Sequence, residues 1–383
     1  METKRERKKV RIRDGLARQN PILDTEISSN KGDINIRGYS INELLEYSNF
    51  EEAAYLVLNS ELPNQSELEK FNDILVSKRE IIPKKVQEVM GSFDGSEHPL
   101  NVIAACFSTI SSEYAEKLKD SHEGKIDHAM NAISLYPVIL AQHIRKRNGA
   151  KIEIIKKPEL DHANNFIYES LGTVDKKKGA ILNTILVGGL DMVLSPSTTA
   201  GRVTASTRSD FFSCMASSIL AWKGYRHGAA CEFAFRDLTT LMDDKIDTFE
   251  FYDMKNKSNI PSFGFGHPIY KKGDDPRVKK ISPMAEFCYQ NFGGTLYKKL
   301  QDVVLDMKKR NIHPNPNIYL ASIIDSLGFP AQDAPSISFM GRVAGVSAHI
   351  IEESGPMRAM WVPKAHYNGI PNREYIPMEK RLG

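Results

Sequence analysis

Four stretches of the chain carry residue types able to do chemistry. The richest is Ser262 to Arg277, SFGFGHPIYKKGDDPR. Gly264 and Gly266 lack a Cβ and let a ligand come close to the backbone. His267 adds a titratable imidazole, Lys271 and Lys272 add ammonium groups, and an acidic turn (Gly273-Asp274-Asp275-Pro276) delivers Arg277. A guanidinium fork suits a carboxylate, and an imidazole can take or give a proton near neutrality. Composition alone would make this a polar loop between helices, so its weight depends on the other three stretches. Asp191 to Arg202, DMVLSPSTTAGR, supplies Ser and Thr caps for a helix start. Lys223 to Glu232, KGYRHGAACE, sets His227 beside Gly228 just after an apolar helix. The fourth joins Pro314-Asn315-Pro316-Asn317 to Arg342 on the last long helix.

These groups need a scaffold, and the periodicity supplies helices almost throughout. A small hairpin is expected in residues 20–65, then helix from about Glu51, ended by Leu62-Pro63. Residues 100–147 hold two apolar helical stretches, with Pro137 a kink or restart in the second. Lys151 to Lys157 alternates like a short strand. One amphipathic helix is expected over 203–222, its stripe made of Phe212, Met215, Ala216, Ile219 and Leu220. Helical spacing returns over 283–310, breaks at His313-Pro314-Asn315-Pro316, and resumes over Ile318–Leu327 and Ser336–Glu353. The tail beyond is irregular and proline-rich. The expected fold is mainly α.

Composition narrows the function classes. The 383 residues are 41% hydrophobic and 26% charged, which provides ample core. A formal charge of +3 argues against a dedicated nucleic-acid binder, although residues 1–13 are locally basic. No apolar run follows that head, and none reaches the length of a membrane span. The expectation is a cytoplasmic chain with neither nucleic-acid nor membrane partners. Cys106, Cys214, Cys231 and Cys288 lie far apart, without metal-ligand spacing, and read as reduced thiols; the ten histidines form no zinc-type cluster.

Read together, the four stretches resemble the citrate synthase family (citrate and 2-methylcitrate synthases). The shared patterns are STTAGR followed by AST and SD, KGxxHGxA, GFGHxxYK with DPR, the PN turn, GFP, and GRVxG with AH and E. A YNG and a YIP follow near the carboxy terminus, so the likeness covers about residues 20 to 381. It implies a large helical domain (1–222 and 316–383, with a C-terminal arm) and a smaller mobile helical domain (223–315). It also implies a homodimer whose partner subunit completes the cleft. The family condenses an acyl-CoA thioester with a 2-oxo acid such as oxaloacetate and then hydrolyses the thioester. No permanently bound cofactor and no metal are implied; the coenzyme A thioester is a substrate. By the same likeness His227 stabilises the enol and His267 polarises the keto group. Arg277 and Arg342 bind carboxylate, while Gly264, Gly266 and Lys271 face coenzyme A.

The departures fall on functional positions. Asn317 stands where the family has its Asp base, and an amide has no proton affinity near neutral pH. Met192 replaces a carboxylate-gripping His, and Val362 an Arg expected to reach the partner's site; Lys364 keeps a charge without the fork. Tyr225-Arg226 brings a new cation beside His227. Asp191 and Glu232 are the nearest carboxylates in sequence that could substitute for the base. These losses weaken recognition of a second carboxylate and favour an oxo acid with one carboxylate or an apolar arm. The leading expectation is a condensing enzyme with altered or lost activity. The alternative is a non-catalytic, ligand-binding or regulatory subunit that forms a heteromer with an active paralogue. Retro-cleavage of a citryl-CoA-like thioester is disfavoured, because it uses the same acid.

Overall fold

A computed structural model describes residues 24–30, 34–114, 121–150, 157–243, 245–266, 277–355, 359–362, 366–370 and 373–381. Three two-residue strands (Ser28–Ser29, Asn35–Ile36, Tyr39–Ser40) form an antiparallel meander at the start, with Ser28 opposite Ile36 and Asn35 opposite Ser40. The rest is helical: α1 (Ile41–Tyr47), α2 (Phe50–Asn59), α3 (Gln65–Arg79), α4 (Lys84–Ser92), α5 (Pro99–Tyr114), α6 (His122–Arg147), α7 (His162–Leu171) and α8 (Lys176–Gly189) come first. Then follow α9 (Pro196–Ser206), α10 (Phe211–Trp222), α11 (Ala230–Leu241), α12 (Thr248–Lys257), α13 (Val278–Phe292), α14 (Tyr297–Lys309), α15 (Pro316–Leu327) and α16 (Ala334–Glu353). No described helix is long and apolar enough to cross a membrane.

Local chemistry explains the boundaries. Ser40 and Asn64 open α1 and α3 with capping boxes completed by Glu43 and Glu67. Asp161, Asp175, Asp210 and Asp247 cap α7, α8, α10 and α12 through their carboxylates. Gly172 and Gly328 close α7 and α15 in the left-handed conformation.

Two expectations about helices need correction. Helix α6 runs through Pro137 without a break, because its middle is packed on all sides and burial outweighs one missing backbone hydrogen bond. The expected single helix over 203–222 is two helices. Arg208, with φ of 65°, ends the first, and Asp210 caps the second through the backbone N–H groups of Phe212 and Ser213. Of the stripe, Phe212, Met215, Ala216 and Ile219 are buried, whereas Leu220 is exposed. The strand-like alternation of 151–157 lies almost wholly outside the described residues, as does the basic head.

Helix α16 is the central element, packing against α2, α6, α8, α9 and α10. Gly341 and Gly345 let it lie directly on α8. A Cβ on Gly341 would fall 2.2 Å from the Leu186 carbonyl oxygen, and one on Gly345 2.1 Å from that of Leu190. The close crossing brings Arg342 level with the end of α8 and the residues after it. Arg202 is wholly buried between α9 and α16, paired with Glu353 at 2.6 Å and Glu352 at 2.9 Å. Trp361 donates its indole N–H to Glu353 at 2.9 Å, which ties the start of the tail to the same cluster.

Candidate active site

Helix α8, the turn before α11 and the first turns of α13 and α15 surround a cavity of about 300 Å³. Met192, His227, Arg277, Asn317 and Arg342 all line it, so five of the candidate residues, scattered over 150 positions, meet in one place.

His227 is held at two points. The Ser197 backbone N–H donates to its Nε2 at 3.2 Å, and the Ser197 hydroxyl lies 2.9 Å from the same nitrogen. A backbone N–H can only donate, so Nε2 is the acceptor and the ring proton belongs on Nδ1. Burial, and then the Arg342 charge, push the imidazole down to about 4, so it is neutral at pH 7. Ser197 is the second residue of α9, where the helix dipole also disfavours a cation. The ring meets Trp222 edge-on at 4.6 Å. Gly228 is required beside it, because a Cβ there would lie 2.1 Å from Trp222 Cε2. A neutral, oriented N–H donor can stabilise oxygen charge that develops during reaction.

Arg342 is buried, and its Nε and Nη1 have no hydrogen-bond partner among the described residues. Its guanidinium carbon sits 5.1 Å above the Trp222 ring. Burial and the neighbouring Arg277 lower it to about 10 against the pull of Asp191, so it remains a cation. A buried guanidinium with two unpaired donors is costly unless a ligand meets it. Arg277 immediately precedes α13 and places Nη1 3.9 Å from Met192 Sδ, a weak acceptor.

Asn317 occupies the first turn of α15, where Asn315 accepts its backbone N–H at 3.0 Å. That position would favour a carboxylate, yet no Asp or Glu is among the described residues lining the cavity. Neither sequence-proximal substitute reaches it. Asp191 accepts from the Ser28 hydroxyl, the Val193 N–H at 3.0 Å and His349 Nε2 at 3.2 Å. Burial pushes its carboxyl up, but His349, Arg342 and Ser28 together hold it below the usual range. Glu232 is spent on His98 at 3.1 Å and Arg236 at 2.7 Å.

Gly264 and Gly266 are not among the lining residues but pin the cavity's edge. The Asn315 N–H donates to the Gly264 carbonyl at 2.8 Å, the Gly266 N–H to that of His313 at 2.9 Å, and Asn315 Nδ2 to that of Gly266 at 2.9 Å. Gly264 takes φ of 85°, and a Cβ would come 2.6 Å from Ile318 Cβ. This bridge fixes the start of α15, and hence Asn317. Val362 is 73% exposed and does not line the cavity of the single chain. His267 and Lys271 lie outside the described residues. The sequence reading missed Trp222, Ser197 and the apolar wall of Ile41, Leu45, Ile185, Ile281, Met284 and Leu320. Trp222 is one of only two tryptophans and stands five residues before His227, which was the available signal.

Residues 15–363 match the family model described as citrate synthase, C-terminal domain. A citrate synthase of Deinococcus radiodurans is 30% identical over 93% of this chain and 95% of its own. A 2-methylcitrate synthase of Corynebacterium glutamicum is 28% identical over 90% and 91%. Among solved structures, a citrate synthase of Thermoplasma acidophilum in ternary complex with carboxymethyl coenzyme A and oxaloacetate superposes with a TM-score of 0.86 at 26% identity, covering 95% of this chain and 98% of that one. The citrate synthase of Thermotoga maritima gives 0.81 at 28% identity over the same shares. The chain therefore belongs to the citrate synthase family.

Proposed function

We propose that the cavity binds an acyl-CoA thioester and a 2-oxo acid, acetyl- or propionyl-CoA with oxaloacetate or a related acid, and condenses them at a reduced rate. In that reaction the thioester α-carbon loses a proton and adds to the keto carbon, whose oxygen gains a proton. Water then cleaves the thioester, giving a hydroxy acid and the free coenzyme A thiol. His227 donates from Nδ1 to the thioester oxygen as enolate charge builds, and Arg277 and Arg342 meet the oxo acid's carboxylate. His267 belongs to the keto group, and Lys271 with the Gly264–Gly266 backbone to coenzyme A. What supports this reading is the neutral, doubly held His227 beside the unpaired Arg342 donors.

Asn317 supplies no base. A positioned base is worth about 10²–10⁴-fold in rate, so the wild-type chain should turn over slower by that order than Asn317→Asp. The experiment is free-thiol detection with a panel of acyl-CoA and 2-oxo acid pairs, for wild type, Asn317→Asp, and Asn317→Asp with Met192→His and Val362→Arg. Thiol release that rises at Asn317→Asp supports the proposal. No release from any variant with any pair overturns it. The second reading, a ligand-binding subunit of an active paralogue, draws on the described lining residues, among which there is no carboxylate. It predicts binding of coenzyme A without turnover, and co-purification with the paralogue.

A homodimer is part of the proposal. It is supported by the tail, which leaves Val362, Tyr367, Ile370, Tyr375, Ile376 and Met378 more than half exposed. Residues 223–315 would be the smaller, moving domain. A cytoplasmic location accords with four buried free thiols.

A further inference from the structure

Two groups of the cavity hang from one anchor that lies outside it. Residues 191–195 join the end of α8 to the start of α9. Met192, in this turn, lines the cavity, and Ser197, at the start of α9, holds His227 Nε2. Between them Val193 takes φ of 55°. Among the described non-glycine residues in the left-handed region it is the one with a β-branched side chain. Branching at Cβ makes that conformation a genuine outlier, which persists only where the surroundings over-determine it.

Here the surroundings converge on one carboxylate. Asp191 Oδ2 accepts from the Val193 N–H at 3.0 Å, from His349 Nε2 at 3.2 Å and from the Ser28 hydroxyl. His349 is itself oriented, since its Nδ1 accepts from Arg202 Nη1 at 3.4 Å and the ring proton is left on Nε2. Gly345 makes the seat: a Cβ there would lie 3.0 Å from Asp191 Cβ. Helix α16 and the first strand thus hold Asp191, and Asp191 holds Val193. Beyond the strained residue the Ser195 N–H donates to the Val193 carbonyl at 2.9 Å, and Ser195 Oγ lies 3.2 Å from Ser197 Oγ. Hydrogen bonds therefore run without a gap from Asp191 to His227.

We infer that Asp191 is a positioning residue of the cavity: it pins Val193 in the left-handed turn, and that turn sets His227 through Ser195 and Ser197 while it presents Met192 to the lining. Asp191 is not itself among the lining residues. Its charge also acts on Arg342, and the two effects have opposite signs. An anion beside Arg342 weakens the site's hold on a carboxylate, whereas an anchor for the turn strengthens it.

The test removes the anchor and then the need for it. Asp191→Asn keeps the size but replaces the anion with an amide, so Val193 should relax toward negative φ. In nitrogen NMR of histidine-labelled protein, His227 should then lose its fixed Nδ1–H form. Calorimetric titration with oxaloacetate should show affinity lower by about five- to 150-fold, the equivalent of the strain no longer held. Adding Val193→Gly should restore the Nδ1–H form and return affinity to within about threefold of wild type, because glycine takes positive φ freely. Should Asp191→Asn not fold, Val193→Pro breaks the same turn with Asp191 in place, since the ring fixes φ at about −65°, and should show the same two losses. The inference is overturned if His227 keeps its tautomer in Asp191→Asn or Val193→Pro, or if Val193→Gly restores nothing that Asp191→Asn loses. Tighter oxaloacetate binding in Asp191→Asn would overturn it too, leaving only the charge effect on Arg342. The titration rests on the reading of the cavity as an oxo-acid site, and the NMR comparison does not. A wild type that fails to bind oxaloacetate would count against that reading alone, with the His227 signals still deciding the role of Asp191.

Discussion

Arg342 lies over the face of Trp222, its guanidinium carbon 5.1 Å from the ring centre, while the same indole donates its N–H to the Pro335 carbonyl at 2.8 Å. One aromatic side chain thus fixes the height of the cation and, through its edge, the tilt of His227. A buried cation–π contact is worth ~0.5–2 kcal/mol. Trp222→Leu should weaken oxo-acid binding by about two- to thirtyfold, read by titration calorimetry. Trp222→Phe keeps a ring and loses the Pro335 bond, so it should lower stability while recovering most of the affinity. Equal binding losses in both variants would mean that the ring does not hold Arg342.

The two hydrogen bonds from Ser197 predict a defined tautomer for His227. In the folded chain this imidazole, pushed down to about 4, is neutral above that pH, whereas unfolded it gains a proton near 6.5. Between those values the unfolded state holds the extra proton, so this group's contribution to stability declines as pH falls from 6.5 toward 4 and is constant above 6.5. Nitrogen NMR of histidine-labelled protein, with His227→Gln to assign the signals, should show an unchanged Nδ1–H form from pH 8 to pH 5.5. A midpoint near 6.5 for those signals would refute the assignment.

Much of this site was legible in sequence, for reasons that can be stated residue by residue. His227, Arg277, Asn317 and Arg342 sit in short motifs whose residue types are chemically unusual, and all four line one cavity. Helix α15 was readable from its proline, cap and glycine. What stayed hidden depends on contacts between distant segments. Nothing local tells that Pro137 can sit inside a continuous helix, since the burial around it comes from other helices. The break at Arg208 hides within a run of apolar spacing that spans both α9 and α10. The role of Trp222 is not written in its own segment, because it is set by Arg342, 120 positions away, and by the space at Gly228.

That space and the one at Gly341 give a paired prediction. A methyl group at Gly341 would press on the Leu186 backbone, which cannot swing aside as a side chain can. Gly341→Ala should therefore force α16 from α8, at about 1–3 kcal/mol of stability, and shift Arg342 with it. At Gly228 the obstacle is the Trp222 indole. Gly228→Ala should disturb binding more than stability, because the ring it displaces carries the site's geometry. Urea midpoints and oxo-acid titrations on both variants separate the two effects. The idea fails if Gly228→Ala binds as the wild type does.

Away from the cavity, Glu169 on α7 is almost wholly buried, with Oε1 accepting from Asn165 at 3.0 Å and Oε2 unpaired among the described residues. Burial pushes its carboxyl up to about 7, against the Asn165 bond and the Arg79 and Arg145 charges, which pull it down. An ordinary glutamate loses its proton near 4.3 when unfolded. Between those values the folded chain holds the extra proton, so Glu169 destabilises the fold increasingly as pH rises through that window, by about 4 kcal/mol at full ionisation. Glutamine keeps the shape and the acceptor but never ionises. Glu169→Gln should therefore raise the urea midpoint at pH 8 and change it little at pH 4.5, so the gain grows with pH. A gain of equal size at both values would show that the side chain's charge is not what the buried site resists.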